Sequence, residues 1–431
     1  MIRIKPEPEN HFLCPKCSQK PVMRELVMKS VFTLADCVCE NCGFEFYQTL
    51  PIGHTVISTL TICKFVGRLY PHDTEKTWLS TALLKAHGSE KHGEVQIKKI
   101  IYKEHDHVVV LNALDFLYGH VLLKLYNSIY HLDHNKDLGL IIIIPKLFEW
   151  LIPSGCAEVW IVDLKLNDLV YNYSWIQKFV SKEFERFDTI YLSKSYSHPD
   201  FTAIDISRFT GIKPFDLANF TKLSPAITFV LREDRWWFRG SIDYWFYRVF
   251  RKLGSLKLGS RVLSMQQNSL VKKTISLILK KLPNANFYIA GLGTTGNFKG
   301  YARDERKQVI NDSIEKDWCR IYAQSHVVIG VHGSNMLLPT AHAAGCVEIL
   351  PEDRYGNIVQ DISVRYADRK QLYLYRFADQ YAGPKTVATK VIFIIENFEI
   401  FEKNMCHNVY RSEQEPRHAM TGLRDDIYAI R

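Results

Sequence analysis

The sequence predicts an α/β protein built of two Rossmann-like halves, preceded by a small N-terminal zinc ribbon. Three observations predict it. Between residues 51 and 400, short apolar runs of strand length alternate with longer segments of helical periodicity. That is the pattern of parallel sheet covered by helices. At least seven such runs occur, more than one sheet of this kind comfortably holds. The first 50 residues are different in kind, because five of the ten cysteines crowd into residues 14–42.

The cysteine-rich opening comes first in the chain. Cys14-Pro-Lys-Cys17 and Cys39-Glu-Asn-Cys42 are two CxxC turns with 21 residues between them. Four thiolates at this spacing suit a tetrahedral Zn²⁺. The stretch between the turns reads as short hairpin strands, and Gly43 suits the tight backbone after the last ligand. Cys37 offers an alternative to Cys39, which is preferred because it completes the second CxxC. A structural staple for a module too small to build a core outweighs a grip on nucleic acid or a partner.

From residue 51 the strand-like runs are 138–144, 158–163, 189–192, 227–231, 286–290, 327–331 and 347–350, and helical segments include 114–130, 268–281 and 315–324. Gly211, Pro214 and Pro225 punctuate a break. It divides the body into an N-terminal half, 51–222, and a C-terminal half, 223–400, with a polar tail at 401–431. No repeat of solenoid period is present.

The net charge is +9 and the pI about 8.9. That excess favours anionic partners such as nucleotides, phospholipids or nucleic acid without choosing among them; a solvated basic surface is the plainer account. The N-terminus has no apolar signal core, and the run 141–144 is far too short to span a bilayer. The expectation is a cytoplasmic protein whose cysteines form a metal site plus free thiols.

In a doubly wound sheet, ligands bind beyond the carboxyl ends of the strands, so the residues following each strand carry the functional argument. The 327–331 strand runs into His332-Gly333-Ser334-Asn335. Gly333 lets the backbone approach a ligand. Ser334 or Asn335 can cap the next helix, whose free N–H groups suit a phosphate, and His332 can donate to the same anion. A simple N-cap beside a satisfied histidine is the plainer reading. Glu348 lies in an apolar strand and needs a partner, either a pair of ribose hydroxyls or a structural ion pair. Arg232 and Arg235 can clamp a pyrophosphate, unless Glu233 and Asp234 neutralise them.

Other features are weaker. Gly291-Leu-Gly-Thr-Thr-Gly296 has the dinucleotide spacing, and Asp312 lies roughly where the ribose acid belongs. Loop-like residues follow where a helix should open, so a Gly-rich loop lining a cleft is preferred to an NAD site. His120, on the apolar 114–130 helix, is either core or cleft-facing, and spacing favours the core. The aromatic and basic run 236–254 places Arg248, Arg251 and Lys252 on one stripe. It can lie on an anionic membrane surface, though a core helix with a solvated stripe is preferred. The chain has no Asp-x-Asp, which weakens any mechanism that holds a divalent ion on a diphosphate.

Three patches resemble glycosyltransferase family 61. VVIGVHGSNMLLPTAHAAGCVEILPE, 327–352, is similar to that family's signature: a strand into His-Gly-Ala-Gly or a variant, an apolar helix, then a strand carrying Glu. LYGHVLLKLYNSIY resembles its N-terminal Gly-His helix, and ITFVLREDR its strand-plus-arginine element. Ser334-Asn335 stands where Ala-Gly is commoner, and the ribbon is not a usual part of the family. The resemblance implies a GT-B transferase that uses a nucleotide sugar without an essential divalent metal. It carries over His332, Gly333, Ser334 and Glu348 as donor contacts, with Asn335 in the same turn, and His120 as an acceptor-side group.

The expected function is therefore a metal-independent glycosyltransferase of surface polysaccharide or glycolipid synthesis. Arg232, Arg235 and the 332–335 turn would stabilise the departing diphosphate, where negative charge develops. His120 would be the general base, with Asp115 or another cleft carboxylate as the alternative. Expected partners are the nucleotide-sugar donor, a glycan or glycolipid acceptor, and a peripheral membrane contact at the inner face. The alternative is a zinc-ribbon nucleic-acid-binding protein with a non-catalytic body; the weakly basic ribbon argues against it.

Overall fold

The computed structural model describes residues 1–8, 12–70, 77–254, 256–358, 360–367 and 369–405. The chain is mixed α/β and carries two six-stranded sheets. In the first, strands Thr189–Leu192, His107–Asn112, Gly139–Pro145 and Glu158–Val162 lie side by side in parallel. Its edges are antiparallel: Ile2–Lys5 pairs with 189–192, and Ile97–Ile101 with 158–162. The second is parallel throughout, in the order Arg303–Asp304, Asn286–Leu292, Ala226–Arg232, Val327–Val331, Gly345–Leu350, Tyr375–Asp379.

The apolar runs form strands for the expected reason. Gly139–Pro145 and Gly345–Leu350 are buried at every position, so both faces must be apolar. The long helix Leu256–Leu279 seats Leu270, Val271, Ile275 and Ile278 on the second sheet, in one core with Ile227, Phe229 and Ile289.

The order of strands fixes where each sheet opens. In the first, the chain steps from 107–112 to 139–145 to 158–162, then returns to 189–192 on the other side of 107–112. In the second it steps from 226–232 outward to 286–292, then returns to 327–331 on the other side. Each reversal leaves a crevice at the carboxyl ends of the two strands flanking it.

Several elements depart from the sequence reading. Strand 107–112 was not predicted, although it is central. Its run Val108–Leu111 is wholly buried and passes without Gly or Pro into a buried helix, so one apolar stretch hid two elements. The predicted 114–130 helix is Tyr118–Tyr126, followed by Ser128–His134. The cysteine-rich sheet has five antiparallel strands: Val22–Lys29, Phe32–Val38, Glu45–Thr49, Thr61–Cys63 and Leu69–Tyr70. It continues well beyond residue 50, where the sequence reading ends the ribbon, while residues 2–5 belong to the first parallel sheet. Of the tail, 401–405 completes the helix Phe398–Met405; 406–431 lies outside the described residues. Among the described residues no helix is long and apolar enough to cross a membrane.

Candidate active site

The crevice of the first sheet is built around Asp115, three residues past strand 107–112 and fully buried. Its Oδ1 accepts the Leu117 N–H at 3.0 Å. Its Oδ2 lies 2.8 Å from His54 Nε2 and 2.8 Å from Lys124 Nζ. His120 Nδ1 stands 3.6 Å from Oδ1. Burial alone would raise the carboxyl; the Lys124 ammonium, with His120 and His54, holds it well below the usual range. Burial pulls His54 down to about 4, so it is neutral near pH 7 and donates its Nε2–H to Asp115.

His54 arrives from an unexpected place, the loop between strands 45–49 and 61–63 of the cysteine-rich sheet. Gly53 turns that loop at φ +62, with Lys124 packed so close that a Cβ would sit 3.1 Å from its Cε. His54 and His120 lie with ring centroids 4.3 Å apart, and Trp78 stands edge-on to His54 at 4.9 Å. His54, Asp115 and His120 are close enough to share a metal ion. The Lys124 ammonium already neutralises Asp115, however, so the arrangement is better suited to holding a proton.

The crevice of the second sheet is formed by the segments after Arg232 and Val331. Arg235 Nη1 donates to the His332 carbonyl at 2.7 Å and to Asn335 Oδ1 at 3.2 Å. Gly333, at φ +145, makes room for it: a Cβ there would lie 1.1 Å from Arg235 Nη1. What Gly333 lets approach is thus this guanidinium. His332 and Glu348 are both buried and bonded to each other, Nδ1 to Oε2 at 2.9 Å. Glu348 thus has the histidine as a structural partner for Oε2, while its Oε1 is buried without a hydrogen-bond partner among the described residues. Burial pushes Glu348 up to about 7, against the pull of His332. Burial pulls His332 down, but Glu348 and Asp361 more than offset it and the group is raised. His332 Nε2 is buried without a hydrogen-bond partner among the described residues, 3.8 Å from Asp361 Oδ2.

Two expectations about the turn fail. Neither Ser334 nor Asn335 caps a helix; a short 3-10 turn, Ser334–Met336, leads into the six-residue helix Leu337–His342. That helix is too short to offer a strong dipole. The two predicted arginines also part company. Arg232 is held by Asp234 through two bonds of 2.7 and 2.6 Å, which is the neutralised reading. Among the described residues Arg235 hydrogen-bonds only to neutral oxygens and makes no ion pair, although the charges of Asp234 and Asp361 act on it.

The two crevices meet. An added Cβ on Gly119 would lie 2.6 Å from Ser334 Cβ, so the start of helix 118–126 packs directly on the 334–336 turn. The His120 side chain is 20% exposed and faces the cleft rather than the core, with His198 beside it at 6.0 Å between ring centroids. Burial, then His120, lowers His198, while Asp361 pulls it back. The ionisable groups therefore run from Asp115 through His120 and His198 to Asp361 and His332. A separate small cavity of about 60 Å³ is bounded by Tyr118, Arg232, Glu315, Ser334 and Asn335. Buried Glu315 accepts from Tyr118 Oη at 2.6 Å and Trp150 Nε1 at 3.2 Å, and burial pushes it up to about 7.

The Gly291–Gly296 loop is not a phosphate cradle. Its Thr294 and Thr295 N–H groups both donate to Glu233 Oε1, at 2.8 and 2.6 Å, so a carboxylate occupies the place an anion would take. No helix opens there; the two-residue edge strand Arg303–Asp304, paired in parallel with 286–292, follows.

The four predicted cysteines come together. Cys14 and Cys42 Sγ are 3.6 Å apart, Cys17 and Cys39 Sγ 3.3 Å, and all four lie within 4.8 Å of one another. That spacing suits tetrahedral thiolate ligation of a metal ion. The two knuckles repeat each other: Ser18 N–H donates to Cys14 O and Gly43 N–H to Cys39 O, both at 2.8 Å, and both residues have positive φ. Cys37 is excluded from the group; it is buried in strand 32–38, where burial pushes its thiol up to about 12.

His54, His198, Lys124 and Asp361 were not singled out from sequence. Looking past the end of the 189–192 strand would have found His198. No local pattern marks His54 or Asp361. No protein-family model matches the chain, and no curated protein matches it.

Proposed function

We propose that the chain is a glycosyltransferase of GT-B type, moving a sugar from a nucleotide-sugar donor to a glycan or glycolipid acceptor without a divalent ion in the chemical step. The observation that carries this reading is the meeting of two strand-end crevices of complementary chemistry. One offers a buried, ionised Asp115 behind His120. The other offers Arg235, whose partners are neutral, and the buried His332 with an unpartnered Nε2. In this reading the donor diphosphate lies against Arg235 and the 332–335 turn, where positive charge stabilises the leaving group. His120 takes the proton of the acceptor hydroxyl, and Asp115 stabilises the imidazolium that forms. Exposed Trp78, next to both histidines, supplies an aromatic face for a sugar ring. The cysteine group is read as a structural zinc site whose sheet delivers His54.

The test is donor turnover, with acceptor and without, in buffer free of divalent ions. His120→Ala and Asp115→Asn should each lower kcat about 10²–10⁴-fold, the range for a lost general base, with a smaller change in donor KM. Wild-type rates from either variant, or a strict requirement for added Mg²⁺, would remove this mechanism.

A further inference from the structure

The run 236–254 left a surface that the transferase reading does not use. Helix Ser241–Lys252 packs inward through buried Asp243 and through Tyr244 and Tyr247, which join Trp236, Phe238 and Tyr381 in a small cluster. Its outward face is apolar. Ile242 is 69% exposed, Trp245 59% and Phe246 46%; with half-buried Val249 they occupy positions i, i+3, i+4 and i+7, one helical stripe. The basic residues are solvated, as the preferred sequence reading of a core helix with a solvated stripe has it, but apolar residues of the helix are exposed as well.

One flank of this stripe is basic, carrying Arg248 and Lys252, with Arg251 further round the helix beside Tyr247, to which it donates. Arg248, Arg251 and Lys252 are exposed and have no carboxylate partner among the described residues. The helix's one acid, Asp243, points inward, accepts the Arg239 N–H at 3.1 Å and lies 3.6 Å from the Arg239 guanidinium. The next helix, 256–279, exposes Val262 and Met265. Met265 borders a groove of about 780 Å³ that also holds Lys272, Lys273 and Lys385.

We infer that helix Ser241–Lys252 docks the protein on an anionic bilayer surface, burying Ile242, Trp245 and Phe246 at the headgroup boundary with Arg248, Arg251 and Lys252 against lipid phosphates. Charge complementarity chooses this occupant. Trp and Phe on one face beside a Lys/Arg flank is the composition of interfacial helices. A second copy meeting this face across a twofold axis would set the same basic flank against itself. The inference does not depend on the transferase reading.

The test is flotation of the full chain with vesicles of phosphatidylcholine alone and of phosphatidylcholine with phosphatidylglycerol. The wild type should float with the anionic vesicles and be released by salt. Trp245→Glu/Phe246→Glu should weaken that association by roughly tenfold or more, and Arg248→Glu/Lys252→Glu should abolish the preference for phosphatidylglycerol. All four side chains are exposed, so circular dichroism and melting should be unchanged; this separates lost docking from lost folding. Failure of the wild type to float, or flotation that neither variant alters, would overturn the inference. So would a wild-type dimer in sedimentation that Trp245→Glu/Phe246→Glu splits while no vesicles are bound.

Discussion

Asp115 and Lys124 are a buried ion pair, and such a pair is costly to break from one side. Lys124→Met leaves the carboxylate buried among two histidines and a backbone N–H. It should lower unfolding free energy by about 3–5 kcal/mol at pH 7, read by chemical denaturation; a loss below about 1 kcal/mol would mean Asp115 is not held as described. Glu315 makes the opposite prediction. Its folded value, about 7 against an ordinary 4.5, means the folded state binds the proton more tightly. Its contribution to stability is greatest below pH 4.5 and falls as pH rises towards 7. By that point about 3 kcal/mol is lost. Glu315→Gln keeps an acceptor for one donor, and the Tyr118 hydroxyl can turn to accept from the new amide. The variant should be more stable than wild type at pH 8, and the difference should vanish near pH 4; equal pH profiles would contradict it. At this scale the sequence disclosed residue types but not pairings. Glu348 in an apolar strand signalled a partner, and one carboxylate oxygen finds it in His332, sixteen positions earlier and just past the end of the neighbouring strand.

Helix 118–126 and the 334–336 turn touch through a glycine and a serine. In an isolated helix Gly119→Ala would stabilise by about 1 kcal/mol. Here the new methyl meets Ser334 Cβ, and overpacking should destabilise by about 1–3 kcal/mol instead. Ser334→Gly removes the obstruction, so the double variant should recover most of the loss. Additive effects in that cycle would show that the two elements do not pack. The cysteine sheet gives a second prediction. Cys39→Ser should lower bound metal per chain and destabilise the sheet, whereas Cys37→Ser should leave metal content unchanged; atomic absorption distinguishes them. Elements with a repeating signature, such as the two CxxC turns and the strand 327–331, were legible in the sequence. Strand 107–112 was not, because no Gly or Pro separates its apolar run from the helix that opens at Tyr118. The Arg232–Asp234 pair was also invisible, since spacing cannot tell a clamp from a neutralised pair.

For the molecule as a whole, the proposed function turns on two sheets whose strand-end segments touch at Gly119 and Ser334. That the second sheet and the centre of the first are parallel followed from alternating apolar runs. That Asp115 and His120 would lie across from Arg235 and His332 did not, because it depends on how helix 118–126 packs on the 334–336 turn. The cysteine-rich sheet is part of the same argument: it sends His54 to Asp115, so stripping its metal should impair any activity of the cleft as well as stability. The central claim is that the cleft takes a nucleoside diphosphate against Arg235. Titration calorimetry with UDP, GDP, ADP and dTDP, in buffer without divalent ions, tests it most directly. One of them should bind the wild type, raise its melting temperature by mass action, and bind Arg235→Lys about tenfold more weakly, because lysine cannot reproduce the planar fork. Binding of none of the four, or equal binding by Arg235→Lys, would contradict it.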